Sequence, residues 1–144
     1  MRVFKTRLVP ICLAALLAAG PGLAQELQGK HVSIELNALE PVEDACRISL
    51  LIQNGHDTDI AEAVYETVLF DTEGKVDRLT LFDFGSLPAA RPRVRQFVVP
   101  GLACASLGRI LINGAETCTG EGLPEAACTR DLDLRRRTDV EVLG

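Results

Sequence analysis

Alternation of apolar and polar residues is the clearest signal in this chain. Val32, Ile34 and Leu36 alternate with Ser33, Glu35 and Asn37, the period of a strand buried on one face. Asn37 to Asp44, containing Pro41, reads as a connection. Cys46, Ile48, Leu50 and Ile52 then alternate with Arg47, Ser49 and Gln53, which turns Cys46 toward the core. Asn54 to Asp59 is a polar turn. Ala61 to Phe70 is rich in Val, Tyr, Thr and Phe. Glu62 to Phe70 can also be drawn as a helix, but β-branched and aromatic residues favour a strand, with Val64, Val68 and Phe70 on one face. Asp71-Thr72-Glu73-Gly74 closes it with turn chemistry. Val76 to Phe84, Val94 to Val99 and Cys104 to Ile112 are further strands, punctuated by Gly85, Pro88, Pro92 and Pro100-Gly101. In the last of them Cys104, Ser106, Ile110 and Ile112 share a face. Six or seven short strands without a convincing amphipathic helix predict an all-β fold, a β-sandwich. Beyond Ala115 the pattern degrades. Residues 129–144, with Arg135-Arg136-Arg137, form a charged tail open to three readings: a short surface helix, disorder, or an edge strand using Leu132, Leu134, Val140, Val142 and Leu143.

The first residues carry a different pattern. Arg2, Lys5 and Arg7 precede the apolar run Val9 to Ala19 and then Gly20-Pro21-Gly22-Leu23-Ala24. A basic start, a short apolar stretch and small residues three and one before a cut match an export signal cleaved near Ala24. The run falls short of the ~20 residues a bilayer span needs, so no membrane span is expected after cleavage. Cys12 sits at the start of the apolar run rather than its end, which excludes lipidation, and there is no twin-arginine pair. The expected organisation is therefore a signal peptide at 1–24, a β-sandwich domain at 25–128 and the charged tail at 129–144, with the mature protein in the periplasm.

Cleavage changes what the composition means. The 144 residues hold five cysteines and a net charge of -5. The remaining 120 hold four cysteines, no methionine and 12 basic against 20 acidic residues, a charge of -8. An acidic chain is a poor nucleic-acid binder, and one without Trp a poor sugar platform. The lack of methionine excludes thioether copper handling. An even cysteine count in an exported protein reads as disulfides. Four cysteines allow three pairings. Asn113-Gly114 is a two-residue hairpin signal that would set Cys118 opposite Arg109 rather than Cys104. The favoured pairing is therefore Cys46 with Cys104 and Cys118 with Cys128, worth roughly 4 and 3 kcal/mol by loop closure. No Cys-x-x-Cys is present, and only His31 and His56 could assist a redox or metal site.

Other chemistry is sparse. Ser86, in Phe84-Gly85-Ser86-Leu87-Pro88, lacks the second glycine and the following helix of a nucleophile elbow. Glu116, Glu121 and Glu125 surround a cysteine loop and read as solvating. No phosphate loop, dinucleotide fingerprint or calcium loop occurs. No cofactor or metal is expected.

One stretch resembles a known module. Leu50-Leu51-Ile52-Gln53-Asn54, Val64 to Phe70 and Asp71-Thr72-Glu73-Gly74-Lys75-Val76 are similar to the immunoglobulin-like sandwich modules of bacterial envelope proteins, the FxLYD type among them. Those modules carry an apolar strand ending in Asn, a polar turn, and a strand ending in aromatic-Asp-x-x-Gly. The match covers about a quarter of the chain, lacks the family's Tyr before Asp71, and does not include the cysteine pairs. The resemblance implies an immunoglobulin-like fold in which Asn54 caps its turn and Phe70 packs inward. It also implies a non-catalytic interaction role, and it transfers no active-site residue.

The candidate binding residues are Arg91, Arg93 and Arg95, which recur at period two and so project to one side of an extended chain. They read either as a stripe for an acidic partner or as charges guarding an edge strand, with Asp77 and Asp83 as local partners. Two classes of function follow. One is a non-catalytic envelope module acting by protein–protein contact. The other is a thiol-redox, small-ligand or metal-binding protein whose site no motif marks.

Overall fold

β1 (Val32–Val42) and β2 (Ala45–Asn54) form an antiparallel pair in the computed structural model, which describes residues 29–144. The signal peptide expected at residues 1–24 lies outside the described residues. β3 (Ile60–Asp71), β4 (Val76–Leu87), β5 (Pro92–Pro100), β6 (Leu107–Thr119), β7 (Asp133–Arg136) and β8 (Glu141–Leu143) complete the fold. They make two four-stranded sheets: sheet A in the order β5-β2-β1-β7 and sheet B in the order β4-β3-β6-β8. The predicted β-sandwich is what is found, with eight strands instead of six or seven. The additional strands come from residues 129–144. That segment supplies β7, parallel to β1, and β8, parallel to β6, so the edge-strand reading holds in both sheets. Val140, between them, is buried.

The two inner faces follow the sequence alternation. Val32, Ile34, Leu36, Cys46, Ile48 and Ile52 are fully buried from sheet A. Tyr65, Leu69, Phe84 and Ile110 meet them from sheet B. Asp71-Thr72-Glu73-Gly74 is the expected turn: the Asp71 carboxylate accepts the backbone N–H groups of Glu73 and Lys75 at 2.9 Å each, and Gly74 takes φ +82°, which suits glycine.

Four local expectations fail. Asn37 to Val42, read as part of a connection, continue β1 past a bulge near Asn37, and Pro41 is accommodated within the strand. Val64, Val68 and Phe70 do share a face, but it is the outer one; Ala63, Tyr65, Thr67 and Leu69 point inward. Phe70 therefore does not pack into the core. Both faces of β3 are apolar, so its periodicity cannot say which one is covered. Asn113-Gly114 is not a hairpin turn. It lies within β6 at a bulge, where Glu66 pairs with Gly114 and Thr67 with Ile112, leaving Asn113 unmatched. A bulge and a turn both place a residue off the ladder, and Asn-Gly suits either. Cys104 and Ser106 belong to a short 3-10 turn (Cys104–Ser106) preceding β6, and Ser106 is exposed.

The disulfide pairing is nevertheless the expected one, Cys46–Cys104 and Cys118–Cys128. Cys46 and Cys128 are buried. The first pair ties β2 to the turn before β6. The second closes the loop after β6 onto the strand it leaves.

Candidate interaction surface

Asn54, at the end of β2, organises one end of the sandwich. It is fully buried, donates to the carbonyls of Thr58 and Leu87 at 2.8 and 2.9 Å, and accepts from the His56 backbone N–H at 2.9 Å. The turn cap implied by the resemblance is thus present. His56 is buried too, with Nε2 2.8 Å from the Ala127 carbonyl and no partner for Nδ1 among the described residues. Tyr65 donates its hydroxyl to the neighbouring carbonyl of Cys128 at 2.7 Å, and burial pushes its ionisation well above the ordinary phenol range. Two buried side chains therefore hold consecutive carbonyls of the disulfide loop. This arrangement positions a loop; the His31 ring lies 4.0 Å from Asp133.

The arginine stripe lies along the open side of the sandwich. There β5, the edge of sheet A, runs beside β4, the edge of sheet B. Arg91 precedes β5 and is exposed; Arg93 and Arg95 are half-buried on the side of Phe97 and Val99. Arg95 spans the seam, donating from Nε to the Phe84 carbonyl at 2.7 Å and from Nη2 to the Ser86 carbonyl at 3.2 Å. Arg78 crosses the other way, from β4 to the Pro100 carbonyl at 2.8 Å. Between them Phe82 and Phe97 stack with centroids 4.1 Å apart. The two side chains cap edge carbonyls that would otherwise be open to a further strand. A shallow groove of about 310 Å³ remains between Arg78, Thr80, Phe82, Gln96 and Phe97. Asp77 accepts from Arg78 and Asp83 from the Gly85 N–H, so neither acid pairs with the stripe.

The two outer faces differ in chemistry. That of sheet A carries paired polar side chains and, on its edge strand β5, the exposed aliphatics Val94 (59%) and Val98 (50%). Arg47 lies 3.7 Å from Glu40, Arg137 bonds Glu35 at 3.1 Å, and Gln96 bonds the buried Ser49 at 3.0 Å. The Asn37 amide, followed by Arg137, holds the Glu35 carboxyl below the usual carboxylate range. The outer face of sheet B carries an aliphatic row across all four strands. Leu79 pairs with Val68, Val68 with Leu111, and Leu111 with Leu143. Val76 and Leu81 flank it on β4, and Phe70 on β3. Leu79 is 57% exposed, Val76 62% and Leu81 52%. Single exposed aliphatics are ordinary on protein surfaces, but a contiguous row is not. Its signal was present in the sequence as apolar residues on both faces of β3.

These features define a disulfide-stapled all-β sandwich whose sheet B carries an aliphatic row across its outer face. The fold is shared with a solved structure, that of IrmA from Escherichia coli. The likeness has a TM-score of 0.58 over 74% of this chain and 92% of that one, at 15% sequence identity. No protein-family model matches the chain, and no curated protein does.

Proposed function

We propose that this chain is an exported periplasmic module without catalytic activity, which works by protein–protein contact through the outer face of sheet B. The observation that carries the reading is the row Leu79–Val68–Leu111–Leu143, aliphatic across four strands, with Leu79 and Leu143 exposed, Leu111 half-buried and Val68 covered between them. The leader-like start of the chain supports export, and two closed disulfides suit an oxidising compartment. The resemblance to envelope sandwich modules supports an interaction role. Capture of Arg95 by edge carbonyls favours the edge-guarding reading of the arginine stripe over an acidic partner there. Replacing Leu79 and Leu111 by Asp tests the proposal. The variant is expected to keep its melting temperature and lose chemical crosslinks in the native envelope. Crosslinks unchanged in yield and partner would overturn it.

A further inference from the structure

The chain contains two Asn-Gly pairs, Asn54-Gly55 and Asn113-Gly114, and the fold treats them oppositely. The Asn54 carboxamide is fully engaged: Nδ2 donates to the carbonyls of Thr58 and Leu87, Oδ1 accepts from the His56 N–H, and the side chain is buried. The Gly55 N–H donates to the His31 carbonyl at 2.9 Å. A Cβ on Gly55 would stand 2.6 Å from that same oxygen, so the main chain there is closely confined.

Asn113-Gly114 is held far more loosely. Asn113 is exposed and has no partner across the ladder, because the register steps from Thr67–Ile112 to Glu66–Gly114. On the other side of β6, pairing with β8 ends at Leu111–Leu143. Among the described residues the Asn113 carboxamide has one partner, Glu66 Oε1, which accepts from Nδ2. No atom beyond its chain neighbours lies within 4 Å of where a Gly114 Cβ would stand, and the φ of Gly114 is not in the left-handed region. Asparagine is among the chemically labile residues. Its lability is greatest where the next backbone nitrogen can reach the side-chain carbonyl carbon, and a following glycine has no Cβ to obstruct that approach.

From this contrast we infer that Asn113 is a deamidation site of the folded protein, with Asn54 protected. The Gly114 nitrogen gives its proton to solvent as it bonds Asn113 Cγ; the Cγ–Nδ2 bond breaks and ammonia leaves. Water then opens the cyclic imide at either carbonyl, leaving aspartate or isoaspartate, with nothing oxidised or reduced. A carboxylate then stands where Glu66 held an amide, and like charges side by side across a strand pair are destabilising. Glu66 lies on the outer face of sheet B, so the new charge appears there, beside Leu111.

The test is timed incubation of the folded, oxidised protein in mildly alkaline buffer. Each Asn-Gly peptide is followed by mass spectrometry, and isoaspartate is counted by enzymatic methylation. Asn113 is expected to convert about tenfold faster than Asn54, or more, because Asn54 reacts only after local opening. In the reduced, denatured chain the two are expected to convert at similar rates. Gly114→Ala fits the open space and is expected to slow conversion at Asn113 about tenfold by obstructing the attack, without lowering the melting temperature. Asn113 surviving in the folded protein as long as Asn54 overturns the inference. So does a preference for Asn113 that persists unchanged in the denatured chain, since the fold would then not be its cause.

Discussion

Tyr65 joins stability, packing and loop position in one side chain. Its ring lies 5.1 Å from that of Phe84 in the core, and its hydroxyl holds the Cys128 carbonyl. Tyr65→Phe keeps the ring and leaves that carbonyl without its donor, which is expected to cost about 1–3 kcal/mol by denaturant midpoint. The same residue sets an alkaline limit. Because burial raises its ionisation in the folded state, its contribution is complete below the unfolded phenol value of about pH 10 and is lost as pH rises through the higher folded value. It is the only tyrosine and there is no tryptophan, so tyrosinate absorbance reads this site alone. The absorbance change is expected to coincide with unfolding; ionisation of the intact fold near pH 10 would contradict the buried hydrogen bond.

At the scale of elements, the strands carry the two disulfides and the capped edges. Loop closure assigns about 4 kcal/mol to Cys46–Cys104, whose partners are 58 residues apart, and about 3 kcal/mol to Cys118–Cys128, 10 apart. Serine at both positions of a pair is expected to lower stability in that order, measured by denaturation. Arg95→Ala uncovers the Phe84 and Ser86 carbonyls on the edge of β4. It is expected to raise light scattering on standing, with little change in melting temperature. β2 and the first half of β1, with their buried faces, were legible because most of their outward residues are polar, whereas Pro41 masked the continuation of β1 to Val42. β3 was legible as a strand but not in orientation, because Val64, Val68 and Phe70 mimic a core face. The arginine stripe was legible as an edge feature, whereas its carbonyl partners come from β4, which only the tertiary fold brings alongside. β7 and β8 were open to several readings because they are four and three residues long. Such short strands take their structure from the sheets they join, not from their own pattern.

For the whole molecule, the asymmetry between its two faces is the feature that bears on function. Sheet A meets water mainly with paired charges, its exposed Val94 and Val98 confined to the edge strand β5, while on sheet B an aliphatic row crosses all four strands. The account therefore stands or falls on which face is covered in the cell. Site-specific photo-crosslinking in living cells decides this directly, with the reactive residue at Leu79 on sheet B or at Glu40, exposed on sheet A. The account predicts a protein crosslink from position 79 and none from position 40. No crosslink from position 79, or equal capture from both, would contradict it.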